Sequence, residues 1–192
     1  FLIAVSVPSL ALIAGGLIFW GPIGGIAAAF AAVPIGLLSF AIGAIVLKRL
    51  LGRIEAGTMP VHSFKYLKHW FMAYLLENTK NILMPVYATV FLPGLLRALG
   101  AKVGKGSEIS TVSHITPDLL EIGDGSFLAD ACIVGGQRIN GGVMEVGAVR
   151  IGERSFIGNS ALVSGGHSIG RNALVGVAST PPTGRSDVPD DT

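Results

Sequence analysis

Residues 1–47 contain no Asp, Glu, Lys, Arg or His, although charged residues make up 14% of the 192-residue chain. A surface helix of a globular domain needs a polar face, so this absence excludes one uniform soluble globule. Cysteine is almost missing as well. Cys132 is the only one, which excludes an intrachain disulfide, and no Cys/His cluster has zinc spacing. Basic residues form no long run and the net charge is only +2, which excludes the Lys/Arg stripe of a nucleic-acid-binding surface. There is no Walker loop, no dinucleotide-binding fingerprint and no Ser/His/Asp order. The last third, in contrast, is rich in Gly and Ser and carries both charge signs, so the chain is not wholly intramembrane. A membrane anchor joined to a soluble domain satisfies all of these exclusions. Both ends, Phe1 and Asp190-Asp191-Thr192, read as cuts from a longer polypeptide.

A bilayer core needs about 20 apolar helical residues, so the uncharged run can supply two spans. The turn between them is expected at Trp20-Gly21-Pro22, where Trp suits the membrane interface and Gly-Pro punctuates the helix. Lys48, Arg49 and Arg53 follow the run and place that end in the cytoplasm by the positive-inside rule. A signal peptide would need a basic start and a shorter apolar core.

Residues 48–100 read as a helical, amphipathic or interfacial linker. Phe64, Leu67, Phe71, Tyr74 and Leu75 follow helical spacing, so that one face can enter the headgroup boundary while Lys65 and Lys68 snorkel; packing against protein is the equal alternative. Residues 81–96 are uncharged but broken by Pro85 and Pro93-Gly94. They are expected to form a re-entrant or surface element, with a third span as the alternative. His62 and His69 are expected to be interfacial polar residues.

From residue 101 an aliphatic followed by a small residue recurs every six positions: Val103-Gly104, Ile109-Ser110, Ile115-Thr116, Ile122-Gly123, Leu128-Ala129, Val134-Gly135, Ile151-Gly152, Ile157-Gly158, Val163-Ser164, Ile169-Gly170 and Val175-Gly176. Small residues also occupy most positions four after each aliphatic, Ser107, Ser113, Ser126, Cys132, Ser155 and Ala161 among them. Period six is the signature of a parallel β-helix of short strands meeting at tight corners. Three hexads make one coil, so Val103 to Val175 predicts four coils of 18 residues. The aliphatics should point inward, and the residue after each should be small or able to take unusual dihedrals at the corner. Residues 137–147 lose the hexad and are expected to protrude. Cys132 should be a packing residue, and Asn159 a corner residue tolerant of positive φ. The domain plan is two transmembrane helices over 1–47, a linker over 48–100, a β-helix over 101–180 and a Pro-rich tail over 181–192.

The repeat resembles the left-handed β-helix of hexapeptide-repeat acyltransferases, and the handedness is implied by that family. A narrower match lies in Arg97-Ala98-Leu99-Gly100-Ala101-Lys102-Val103-Gly104, in Asp118-Leu119-Leu120-Glu121-Ile122-Gly123-Asp124-Gly125, and from Ser155 through Pro182. With the upstream apolar run, these resemble the C-terminal membrane region of nonribosomal-peptide-synthetase-like proteins of the epsilon-poly-lysine synthetase type. That resemblance implies upstream adenylation and phosphopantetheine carrier domains, and amide-bond formation at the inner membrane face from a carrier thioester. Two spans would return the chain to the side of Lys48, Arg49 and Arg53, so a multi-pass protein with the β-helix on the cytoplasmic side is expected. The likeness to hexapeptide-repeat acyltransferases implies trimers of β-helices, with pairing within one chain as the alternative.

Acyl transfer needs a base and oxyanion donors. The candidates in the repeat are His114, beside a register slip with Asp118 and Glu121 as possible orienting carboxylates, and His167, in a slot otherwise filled by small residues. No metal site is expected, and the acyl donor is carried by phosphopantetheine or coenzyme A. A non-catalytic scaffold β-helix and a coenzyme-A-dependent acyltransferase are the competing readings.

Overall fold

The computed structural model describes residues 2–182 and 187–192; part of the expected Pro-rich tail, 183–186, lies outside them. Helix α1 (Leu2–Leu51) is long and apolar, with non-helical dihedrals inside it at Gly21 (φ 65°, ψ −158°). Contacts cross this break: Ser9 Oγ donates to the Ala32 carbonyl at 2.8 Å, and a Cβ on Gly36 would meet Ser9 Oγ at 2.9 Å. Ile18, Phe19, Ile23, Ile26 and Phe30 are all bare on the outside. Covering each such side chain is worth about 1.5–3 kcal/mol, so this surface favours an apolar surrounding.

Helix α2 (Phe64–Ile82) starts where the Ser63 hydroxyl accepts the Tyr66 N–H, satisfying an otherwise orphan donor. It buries the stripe His69, Met72, Leu76 and Thr79, while Phe64, Leu67 and Tyr74 of the expected apolar stripe stay exposed. Helix α3 (Leu92–Leu99) occupies part of the uncharged 81–96 stretch. Pro93 opens it, and Gly100, at φ 114°, closes it by donating to Arg97 while the Ala101 N–H reaches the Leu96 carbonyl. Leu92, Leu95, Leu96 and Leu99 are buried in the same core as the repeat, so this stretch packs on protein.

The repeat forms three parallel sheets of very short strands, an architecture consistent with a left-handed β-helix. On the first face Lys102–Val103, Leu120–Ile122, Val149–Ile151, Ser168–Ile169 and Asp187–Val188 stack in that order, with Val103, Ile122, Ile151, Ile169 and Val188 in register. The second face aligns Ile109, Leu128, Ile157 and Val175, and the third joins Val112–Ser113, Cys132–Val134 and Leu162–Val163. Nearly all the repeat's aliphatics are buried in one core.

The count of coils comes out differently from the expectation. Ile122 and Val134 stack directly under Ile151 and Val163, so Val134 to Ile151 is one corner with an insertion, not a coil. The insertion is a hairpin of Arg138–Asn140 and Val143–Val146, and Gly57–Pro60 from the linker adds to it as a third antiparallel strand. Val103 to Val175 therefore takes in three coils and two faces of a fourth. Asp187–Val188, in the expected tail, returns to the first face.

The small residue after each aliphatic is explained by stacking. A Cβ on Gly123 or Gly152 would come within 2.5 Å of the backbone of the next coil. The positive dihedrals lie two residues later, at Ala131, Arg154, Ser160, Asn172 and Ala178. Ser160, not Asn159, is thus the left-handed corner residue. Its N–H, like those of Arg154 and Asn172, donates to a carbonyl of the preceding coil.

Candidate active site

The first coil is irregular on its third side. Pairing puts Val112, 1% exposed, opposite Cys132, so the inward slot expected for Ser113 belongs to Val112 and this corner is one residue short. The next residues turn outward. His114 is exposed and sits at φ 56°, a conformation costing a non-glycine residue about 1–2 kcal/mol.

Helix α2 crosses this side of the coil and leaves a cleft of about 240 Å³ between them. Strand residues Val112 to Thr116 form its floor. His69, Ala73, Leu76 and Lys80, with Trp70, Tyr74 and Glu77, form its wall, and Tyr87 and Gln137 close the ends. Lys80 pairs with Glu77 one turn back and donates to Ser113 Oγ at 3.0 Å, which ties the wall to the floor. Burial, helped by the Glu77 charge, pushes the Tyr87 phenol up to about 12. The phenol therefore remains a hydrogen-bond donor throughout the neutral range.

His69 is 3% exposed, and its Nδ1 is buried without a hydrogen-bond partner among the described residues. Its expected place at an interface is corrected by this burial: helical spacing puts it on the Met72/Leu76/Thr79 stripe, against the core. Desolvation lowers its pKa, leaving a neutral imidazole at neutral pH. His62 is exposed.

Asp118 does not orient His114. Its side chain, 3% exposed, takes Lys48 Nζ at 2.5 Å and the Ile54 N–H at 2.9 Å, with Arg53 Nε at 4.0 Å. It joins the last turn of α1 to the prism, and Gly100 leaves the room: a Cβ there would meet Asp118 Oδ1 at 2.7 Å and Lys48 Nζ at 2.9 Å. Glu121 faces Lys102 and Arg150 on the first face. His167 lies three positions past Ser164, whose carbonyl its Nδ1 meets at 3.1 Å, and it lines none of the cavities around His114. Cys132 is fully buried, its thiol donating to the Ala129 carbonyl at 2.9 Å, and burial pushes its pKa up. That is a packing residue, as expected. Among the described residues no group of three or more His, Cys, Asp or Glu could hold a metal ion.

No protein-family model matches the chain. It is homologous to a segment of delta-poly-L-ornithine synthetase from Acinetobacter baumannii (strain AB307-0294), with 41% identity over 158 residues. The match covers 80% of this chain and 12% of that protein. This homology bears out the resemblance read from the residues. Among solved structures, a maltose O-acetyltransferase from Clostridium difficile 630 matches with a TM-score of 0.39 at 18% identity, over 81% of each chain.

Proposed function

We propose that this homologue of a poly-amino-acid synthetase segment is an acyl-transfer module, which joins amino acids by amide bonds at a membrane face. The observation that carries the reading is the cleft beneath α2, where His114 stands beside a neutral phenol and a cation. The donor would be an aminoacyl thioester on a phosphopantetheine arm, and the acceptor the amine of a second amino acid. The relative's name makes ornithine the natural first substrate to try. The amine arrives as an ammonium ion, and His114, exposed at the mouth, is placed to take its first proton. Tyr87 and Lys80 are donors for the oxyanion that develops on the thioester carbonyl. Adenylation and carrier domains would lie elsewhere in a longer chain.

Helix α1, long and apolar enough over Ser6–Leu51 to cross a bilayer, supports membrane attachment. We read its two halves as a hairpin of two spans. A continuous helix rises about 1.5 Å per residue and would hold Ser9 and Ala32 far apart, yet they are hydrogen-bonded. Lys48, Arg49 and Arg53 favour a cytoplasmic β-helix by the positive-inside rule. The exposed Phe64, Leu67, Trp70 and Tyr74 of α2 suit the headgroup layer.

The test is polymer formation by the full-length synthetase carrying His114→Ala or His167→Ala. Loss of product at His114 with normal membrane insertion, and none at His167, is the expected result. Full activity in both variants would leave the β-helix as a scaffold.

A further inference from the structure

His69 lines two separate cavities. On one side is the cleft of about 240 Å³ that holds His114. On the other is a second cavity of about 200 Å³, lined by residues 53–59 with Lys65, Lys68 and His69. The residue common to both is His69. The two cavities differ in character. The second is basic, with Arg53, Lys65 and Lys68 against Glu55, and Lys68 Nζ donates to the Arg53 carbonyl at 2.7 Å. The first presents Glu77, Lys80, Tyr87 and His114. Between them the His69 ring is buried, and its Nδ1 has no hydrogen-bond partner among the described residues. A buried ring nitrogen left unpaired is destabilising, and a ligand's proton would relieve it.

We propose that His69 is the catalytic base shared by a donor cavity and an acceptor cavity. This rests on the acyl-transfer reading. The basic cavity would take a phosphopantetheine thioester, its phosphate against Arg53, Lys65 and Lys68, and the cleft would take the amine. The nitrogen lone pair forms the C–N bond, His69 takes the proton that this nitrogen sheds, and the C–S bond breaks. The imidazolium then returns that proton to the departing thiolate, so amide and thiol leave with no other reactant consumed. His114, at the mouth, has already removed the first proton from the ammonium form, so the two histidines act on successive protons.

The experiment uses full-length synthetase in its own membranes, with ornithyl thioesters of coenzyme A and of the carrier domain as alternative donors and ornithine as acceptor. His69→Gln and His69→Asn are compared with wild type. The expected result is a fall in kcat of about 100-fold or more in both, the range for removing a general base, with KM for the amine little changed. The acid limb of the kcat profile, expected below the ordinary imidazole value of 6.5 because burial lowers it, should disappear. Variants within threefold of wild type, or slower variants with the acid limb intact, would overturn the assignment. A bromoacetyl phosphopantetheine probe reads the site without turnover. If wild type makes no amide, the acyl-transfer reading fails. Alkylation at His69, located by mass spectrometry, would then still support a pantetheine cavity ending on this ring, and an unlabelled ring would overturn it.

Discussion

The first coil and the third coil of the same prism are built from the same repeat, and they differ in how closely they keep to it. From Ile151 to Ile169 the chain steps through three hexads, each corner donates to the coil before it, and Ser155 and Ala161 fill the small inward slots. In the first coil one corner is a residue short, Val112 takes the inward slot, and His114 is turned outward under α2. Ser160 and His114 share a φ of 56°. In the regular coil the strained residue only turns the chain, whereas in the irregular one it presents an imidazole to a cleft. Where the repeat keeps its period, its polar groups are spent on stacking; where it slips, His114 is turned toward the cleft instead.

Changes that separate the two coils sharpen this contrast. The largest effect is expected for Asp118→Ala, which strands Lys48 as a buried charge. Unfolding stability should fall by about 3–5 kcal/mol, seen as a large drop in thermal midpoint in detergent. Ile157→Ala, in the regular interior, should cost about 2–5 kcal/mol yet leave turnover per folded molecule unchanged. Gly152→Ala pushes a methyl into the next coil's backbone and should cost about 1–3 kcal/mol by the same measurement. Replacing either strained residue by glycine should raise stability by about 0.5–1 kcal/mol. Ser160→Gly should keep full activity, whereas His114→Gly should lose most of it; equal activity in the two would erase the distinction between the coils. The smallest effect is the pH term of His69. Its folded value is lowered, so the unfolded chain binds more protons and stability should decline as pH falls below about 6.5. A His69→Gln chain should lack that decline.

The aliphatic positions of the prism were legible because an inward side chain must be apolar in every coil, and that requirement leaves a period in the residues. The corners were less legible. Glycine after the aliphatic reports a neighbouring backbone, not a dihedral, and the left-handed positions accept Ala, Arg, Ser and Asn alike, so they leave no pattern. Ile115 keeps the hexad count, so the residues point to a slip after it, whereas the structure absorbs the irregularity before Val112. The strand Asp187–Val188 is too short to announce itself, and the hairpin at 138–146 depends on Gly57–Pro60, far away in the chain. Asp118 looked like a partner for His114 because the two are close in sequence, but its partner is 70 residues upstream. For His69 the residues held one signal, its place three before Met72 and seven before Leu76. What it faces is decided by residues 53–59 and 112–116, which no local pattern connects.

The Lys48–Asp118 pair also orders events during synthesis. Lys48 is synthesised 70 residues before its partner, and until Asp118 arrives its ammonium must stay hydrated. The apolar helix can therefore form while its last turn remains undocked, and that turn becomes water-free only once the first coil has closed against it. A nascent chain halted before residue 118 would leave Lys48 open to aqueous reagents, and completion of one coil would be the step that shuts them out.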